Sequence, residues 1–146
     1  PPPALPPSRE HLDLADRWIL SRLNSSIAEL NARLEAFDIN LATKVLYDFI
    51  WHDFCDWYVE MIKGRLYGGE PAEVKAVVLD RALGVFEQAL RMLHPFMPFV
   101  TEELWHRVAT RSGDASIMVA PYPAKDETWI DTNTERSMAF VQEAMK

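Results

Sequence analysis

Between Leu41 and Ile62 the chain leaves one line of polar positions open: Lys44, Asp48, His52, Asp56 and Glu60, four residues apart. Leu41, Val45, Leu46, Phe49, Ile50, Phe54, Trp57, Tyr58, Met61 and Ile62 cover most of the remaining circumference when the stretch is wound as a helix. A helix apolar on nearly every side must be surrounded by others. The stretch therefore predicts an all-α fold, an antiparallel helical bundle with this helix at its centre.

The neighbours are legible from spacing and punctuation. Leu20, Leu23, Ile27, Leu30, Leu34 and Phe37 step by three and four, which predicts a first helix with one apolar face, opened by Asp13 or Asp16. Asp38 or Asn40 suits the cap of the central helix, and Gly64 to Gly69 supply its end. Pro71 fits the first position of a third helix carrying Ala76, Leu79, Leu83, Phe86, Leu90 and Leu93. That helix should stop near His94, because Pro95 drives its predecessor out of the α region. Pro98 restarts a short fourth helix through Phe99, Leu104, Trp105 and Val108. Residues 1–12 hold five of the ten prolines and read as a linker. The bundle then spans 13–110, a short extended or loop segment 111–130, and a last helix 131–146 opened by a Thr132 to Glu135 capping box.

A chain of 146 residues is long enough for one domain with a real core, burying roughly 70% of its unfolded surface. No apolar run approaches the roughly 18 residues of a membrane span, and the single Cys55 forms no internal disulfide. Both fit a soluble, cytoplasmic protein. A net charge of −7 is the wrong sign for a protein held mainly by phosphates, so any nucleic-acid contact must rest on local basic spots and on bases.

The chemistry of sites is sparse. No glycine pattern has phosphate-loop spacing. His52, Cys55 and Asp56 share metal-ligand spacing on one face, but a structural zinc needs four ligands and no second pair follows. No base and oxyanion donors accompany Cys55 as a nucleophile. Asp53, Asp56 and Glu60 read as a solvated helix face with i,i+4 pairing. The basic candidates are Lys63 and Arg65 at the end of the central helix, with Arg17 and Arg22 at the start of the first. Cations at a helix end also offset the macrodipole, which is the plainer reading of the first two.

Two strings, FCDWYVEMIK at 54–63 and LHPFMPFVTEELW at 93–105, resemble the anticodon-binding region of class I aminoacyl-tRNA synthetases of the valine, leucine and isoleucine group. LADRWILSRL at 14–23 and SIMVAPYP at 116–123 narrow the resemblance to the valyl-tRNA synthetases, with the leucyl and isoleucyl domains as alternatives. The aromatic members Phe54, Trp57, Tyr58, Phe96, Phe99 and Trp105 are expected mostly as core anchors. The resemblance implies a domain that meets the anticodon loop of tRNA(Val) and the other domains of a ligase, with no DNA or membrane partner. Splayed anticodon bases are read by stacking and by their edges. It implies that Val59 packs on a base while Lys63 and Arg65 hold phosphate or a base edge, with Arg17 a weaker contact. The family's HIGH and KMSKS signatures are absent, so ATP and magnesium are expected to serve a catalytic domain upstream and the chain itself to need no cofactor. A helical protein-interaction or structural module is the competing reading.

Overall fold

The computed structural model describes residues 4–6 and 9–145. Pro1 to Pro3, Pro7 and Ser8, within the expected linker, and Lys146, within the expected last helix, lie outside the described residues. Among the described residues the chain is all-α, without a strand, and it forms two compact units. One unit runs up to Gly64 and takes up the chain again from Ala124; the other is Arg65–Pro123 with the first residues.

In the first unit the Asp13 carboxylate accepts from the Asp16 amide at 2.8 Å and opens α1, Leu14–Glu35. Trp18, Ile19, Leu20, Leu23, Ile27 and Leu30 are buried along it. The helix ends in a Schellman turn, in which the Phe37 amide reaches the Leu34 carbonyl and the Asp38 amide the Arg33 carbonyl at 2.9 Å. Phe37 itself takes the left-handed position at φ 56°, which costs an L-residue about 1–2 kcal/mol. That turn points its ring outward, 87% exposed, where the spacing had placed it on the buried face.

Asp38 then caps α2, Ile39–Tyr47, by accepting from the Leu41 amide at 3.1 Å. From Asp48 to Val59 the rod continues as a π-helix, and from Glu60 to Tyr67 as α3. Tyr47, Asp48 and Glu60 all keep right-handed helical dihedrals, so the three windings join without a break. α1 packs against α2, the π-helix and α6, Thr132–Ala144. Phe49 and Tyr58 of the π-helix are fully buried, and burying side chains of this size stabilises the fold by about 1.5–3 kcal/mol each.

The last helix is capped differently from the expected box. Asp131, not Thr132, is the cap residue, accepting from the Thr134 amide at 3.0 Å. Glu135 turns to α1 instead, accepting from Ser21 Oγ at 2.5 Å and from Arg22 Nη1 at 3.5 Å. With Ser25 Oγ also facing it at 3.4 Å, the carboxylate meets three polar side chains across a helix contact and gains more there than at one free backbone amide.

In the second unit α4, Ala72–Leu93, follows Pro71 and stops at the His94 cap, and α5, Pro98–Val108, begins on its proline. Leu90, Trp105 and Ile117 form a buried cluster edged by Phe86, Leu104 and Val108. One carboxylate organises its rim. Glu87 Oε1 accepts from Trp105 Nε1 at 2.9 Å, Arg91 Nη2 at 2.6 Å and Arg111 Nη2 at 3.2 Å. The Arg111 guanidinium also lies 3.8 Å from the Trp105 ring centre. The segment after α5 carries one 3-10 turn, Ile117–Val119, and is held to α4 where the Tyr122 hydroxyl donates to the Met92 carbonyl at 3.2 Å. Phe99, expected among the anchors, is 90% exposed at the start of α5. The proline that starts the helix sets its phase, and that phase sends Thr101 and Trp105 inward instead. At the other face of α4 the Ala4 carbonyl lies so near Gly84 that a Cβ would stand 2.6 Å from it, so only glycine leaves room for the crossing chain.

Candidate nucleic-acid interface

Val59, Lys63 and Arg65 follow one another along the π-helix and α3, and Arg17 stands on α1. Val59 is half-buried and closes the π-helix; Lys63 is exposed one step further along α3. Lys63 Nζ donates to Glu60 Oε1 at 2.5 Å, a surface pair of the kind worth under about 1 kcal/mol and readily opened. Arg65 is half-buried in the last turn of α3 and stands two residues from Lys63, a spacing at which helical side chains do not face each other. Arg17 is exposed on α1. The buried Tyr58 hydroxyl donates to the buried Asp16 carboxylate at 2.9 Å, and Val59 and Arg17 are the next residues on either side of that bond. The start of α1 and the end of the π-helix are thereby fixed together.

Arg22, the other basic candidate, is committed to structure. Its Nε donates to Asp53 Oδ2 at 2.9 Å and Nη1 reaches Glu135. Burial works against the guanidinium charge, but Asp53 and then Glu135 outweigh it and raise the pKa further. Asp53, expected on the solvated face, is buried, and burial pushes its carboxyl up despite Arg22. The helix turns it inward because α1 offers a cation there. Asp56 and Glu60 remain exposed, with His52 Nδ1 3.6 Å from Asp56 and Lys63 on Glu60. Cys55 is half-buried, its thiol pushed up by burial and by Asp56. Among the described residues no group of three His, Cys, Asp or Glu is placed to hold a metal ion.

Winding explains how the side chains line up. In an α-helix each step of four residues overshoots a full turn by about 40°. A π-helix bonds five residues back, holds more residues per turn and undershoots on the same step. The two drifts run in opposite senses, and along Asp48–Val59 the shortfall accumulates from step to step. Single four-residue steps still bring side chains together, Lys44 with Asp48 and His52 with Asp56. Tyr47 and Trp51 are 62% and 58% exposed, with ring planes 14° apart and centres 6.4 Å apart. Sequence reasoning passed over both rings, although the same four-residue repeat, displaced by three, was there to find.

A family model described as the anticodon-binding domain of tRNA ligase matches residues 16–146. The chain belongs to this family. Its relatives are valine–tRNA ligases, among them that of Thermosynechococcus vestitus, 39% identical over 96% of this chain. Those of Fervidobacterium nodosum and Latilactobacillus sakei are 45% and 46% identical over 86% and 84% of it. The chain spans about 15% of the length of these relatives. As an anticodon-binding domain it shares the family's helical architecture, and no helix among the described residues is long and apolar enough to cross a membrane.

Proposed function

We propose that this domain docks the anticodon loop of a valine tRNA against the stretch carrying Val59 and Lys63 and so positions that tRNA for aminoacylation. The observation that carries the reading is the family match over 16–146, on a helix that offers an apolar contact and a cation side by side. Val59 packs on an unstacked base, Lys63 and Arg65 take phosphate or a base edge, and Arg17 reaches the same loop from α1. In this reading the work belongs to a cytoplasmic valine–tRNA ligase, and ATP and magnesium serve amino-acid activation elsewhere in that longer polypeptide. The domain itself supplies only binding. With a net charge of −7 the phosphate contribution is small, so affinity for an isolated loop is expected near micromolar.

The test is a titration of a valine tRNA anticodon stem-loop and a scrambled loop at several salt concentrations. The authentic loop should bind tighter. Lys63→Ala with Arg65→Ala should reduce the salt slope by up to about two, with thermal stability nearly unchanged. Equal affinity for both loops at low salt would remove the reading.

A further inference from the structure

Three apolar side chains of α5 and the 3-10 turn that follows it have no role in the fold described above. Phe99 is 90% exposed, Met118 74% and Val119 81%. Hydrogen bonds bring them to one face. Glu102 stands one turn beyond Phe99 on α5, at a spacing where helical side chains are neighbours, and its Oε2 accepts from Ser116 Oγ at 2.9 Å. Ser116 Oγ in turn accepts from the Met118 amide at 3.1 Å and caps the 3-10 turn. Ile117 is thereby directed into the cluster with Leu90 and Trp105, which leaves Met118 and Val119 to water beside Phe99. These three residues leave on the order of 400 Å² in water, a size at which an apolar patch marks an interaction site. Met97 and Val100, each about half exposed, flank Phe99 in the chain and widen the patch.

We infer that this face seats the domain against an apolar surface elsewhere in a longer ligase polypeptide. The inference rests on one part of the reading above, that the domain belongs to such a polypeptide and positions tRNA for chemistry done outside itself. The chain spans about 15% of the length of its relatives, so in them the matching stretch is joined to a body several times its size. Positioning demands a fixed distance between the two, and domains tied by backbone alone move unless an apolar contact holds them. Charge disfavours the other occupants. No cation stands among Met97, Phe99, Val100, Met118 and Val119, and the charged group tied into the patch is the Glu102 carboxylate, so phosphate finds no partner there. A second copy would set Glu102 and a net charge of −7 against their own likeness.

The test is a labelling rate. In a Cys55→Ala background, Val119→Cys puts one thiol on the face, and its reaction with a maleimide, followed by peptide mass spectrometry, reports exposure in the 146-residue chain and in the complete ligase polypeptide, both free of RNA. The thiol should react about tenfold or more slowly in the complete polypeptide. Phe99→Asp, and separately Met118→Asp, should restore the fast rate there, while Phe99→Leu should leave it slow, because Phe99 and Val119 lie on different elements and share the occupant. Equal rates in the two lengths would overturn the seat. A slow rate in the 146-residue chain would overturn it too, since the chain would then cover its own face. Slowing that grows with the concentration of the 146-residue chain, or that needs added tRNA, would overturn it in favour of a second copy or of RNA. Authentic and scrambled loops bound alike, with the Val119→Cys thiol still protected, would remove the docking reading and keep the seat. Loops told apart, with equal labelling rates, would do the reverse.

Discussion

Tyr58→Phe removes one oxygen and tests how the stretch carrying Val59 is held. Tyr58 and Asp16 are both essentially inaccessible to water, and 2.9 Å separates the hydroxyl from the carboxylate. Deleting the hydroxyl leaves every packing contact of the ring in place but takes a donor from a buried acceptor. A hydrogen bond to a charged group is worth about 1.5–3 kcal/mol, and the acceptor's lost solvation is not restored because no water reaches it. We expect a loss of about 2 kcal/mol in urea unfolding, seen as a fall of roughly 5–10 °C in melting temperature by circular dichroism. Asp16→Asn in the same background isolates the pair, because the double variant should lose little more than either single one. Val59→Ala, one residue away and half-buried, should cost less stability than Tyr58→Phe while weakening RNA binding. A Tyr58→Phe protein that melts within about 1 °C of the parent would show that the hydroxyl does not hold α1 to the π-helix, and the geometric link between Arg17 and Val59 would fall with it.

Gly84→Ala should ease helix formation by up to about 1 kcal/mol yet expel the segment at Ala4, so limited proteolysis of the N-terminal residues should accelerate while the melting temperature changes little. Tyr122 is expected to titrate late, because partial burial raises its pKa to about 12. A raised folded value means that its contribution is complete below pH 10 and fades as pH climbs toward 12. The difference between the ultraviolet titrations of the parent chain and of Tyr122→Phe should be a single phenol that ionises late, near pH 12.

Helix boundaries were the most legible part of the chain, because each depends on a few adjacent atoms. Asp13, Asp38, Pro98 and the stop at His94 act where their chemistry predicted, while Pro71, expected at the first position of its helix, stands one residue before it as the cap. Burial was less legible, since it depends on partners distant in sequence. Asp53 is inside because Arg22 is opposite, and Glu135 leaves its capping role because Ser21 and Arg22 offer more. Phe37 and Phe99 fit helical spacing yet face water, one thrown out by a left-handed turn and the other by the phase of a helix restarted at a proline. The candidate contacts Val59 and Lys63 came from resemblance to a family, not from spacing. The π-helix that carries Val59 was not legible either, because no residue type specifies its hydrogen bonding on its own.

Direction on a helical rod accumulates. Each wide turn between Asp48 and Val59 rotates everything that follows it, so where the ammonium of Lys63 ends up is settled by amides and carbonyls several turns earlier. A binding face built this way is owned by the whole stretch. One residue lost from the wide turns would swing the later side chains by just under a quarter turn and dismantle the face without altering any residue that composes it.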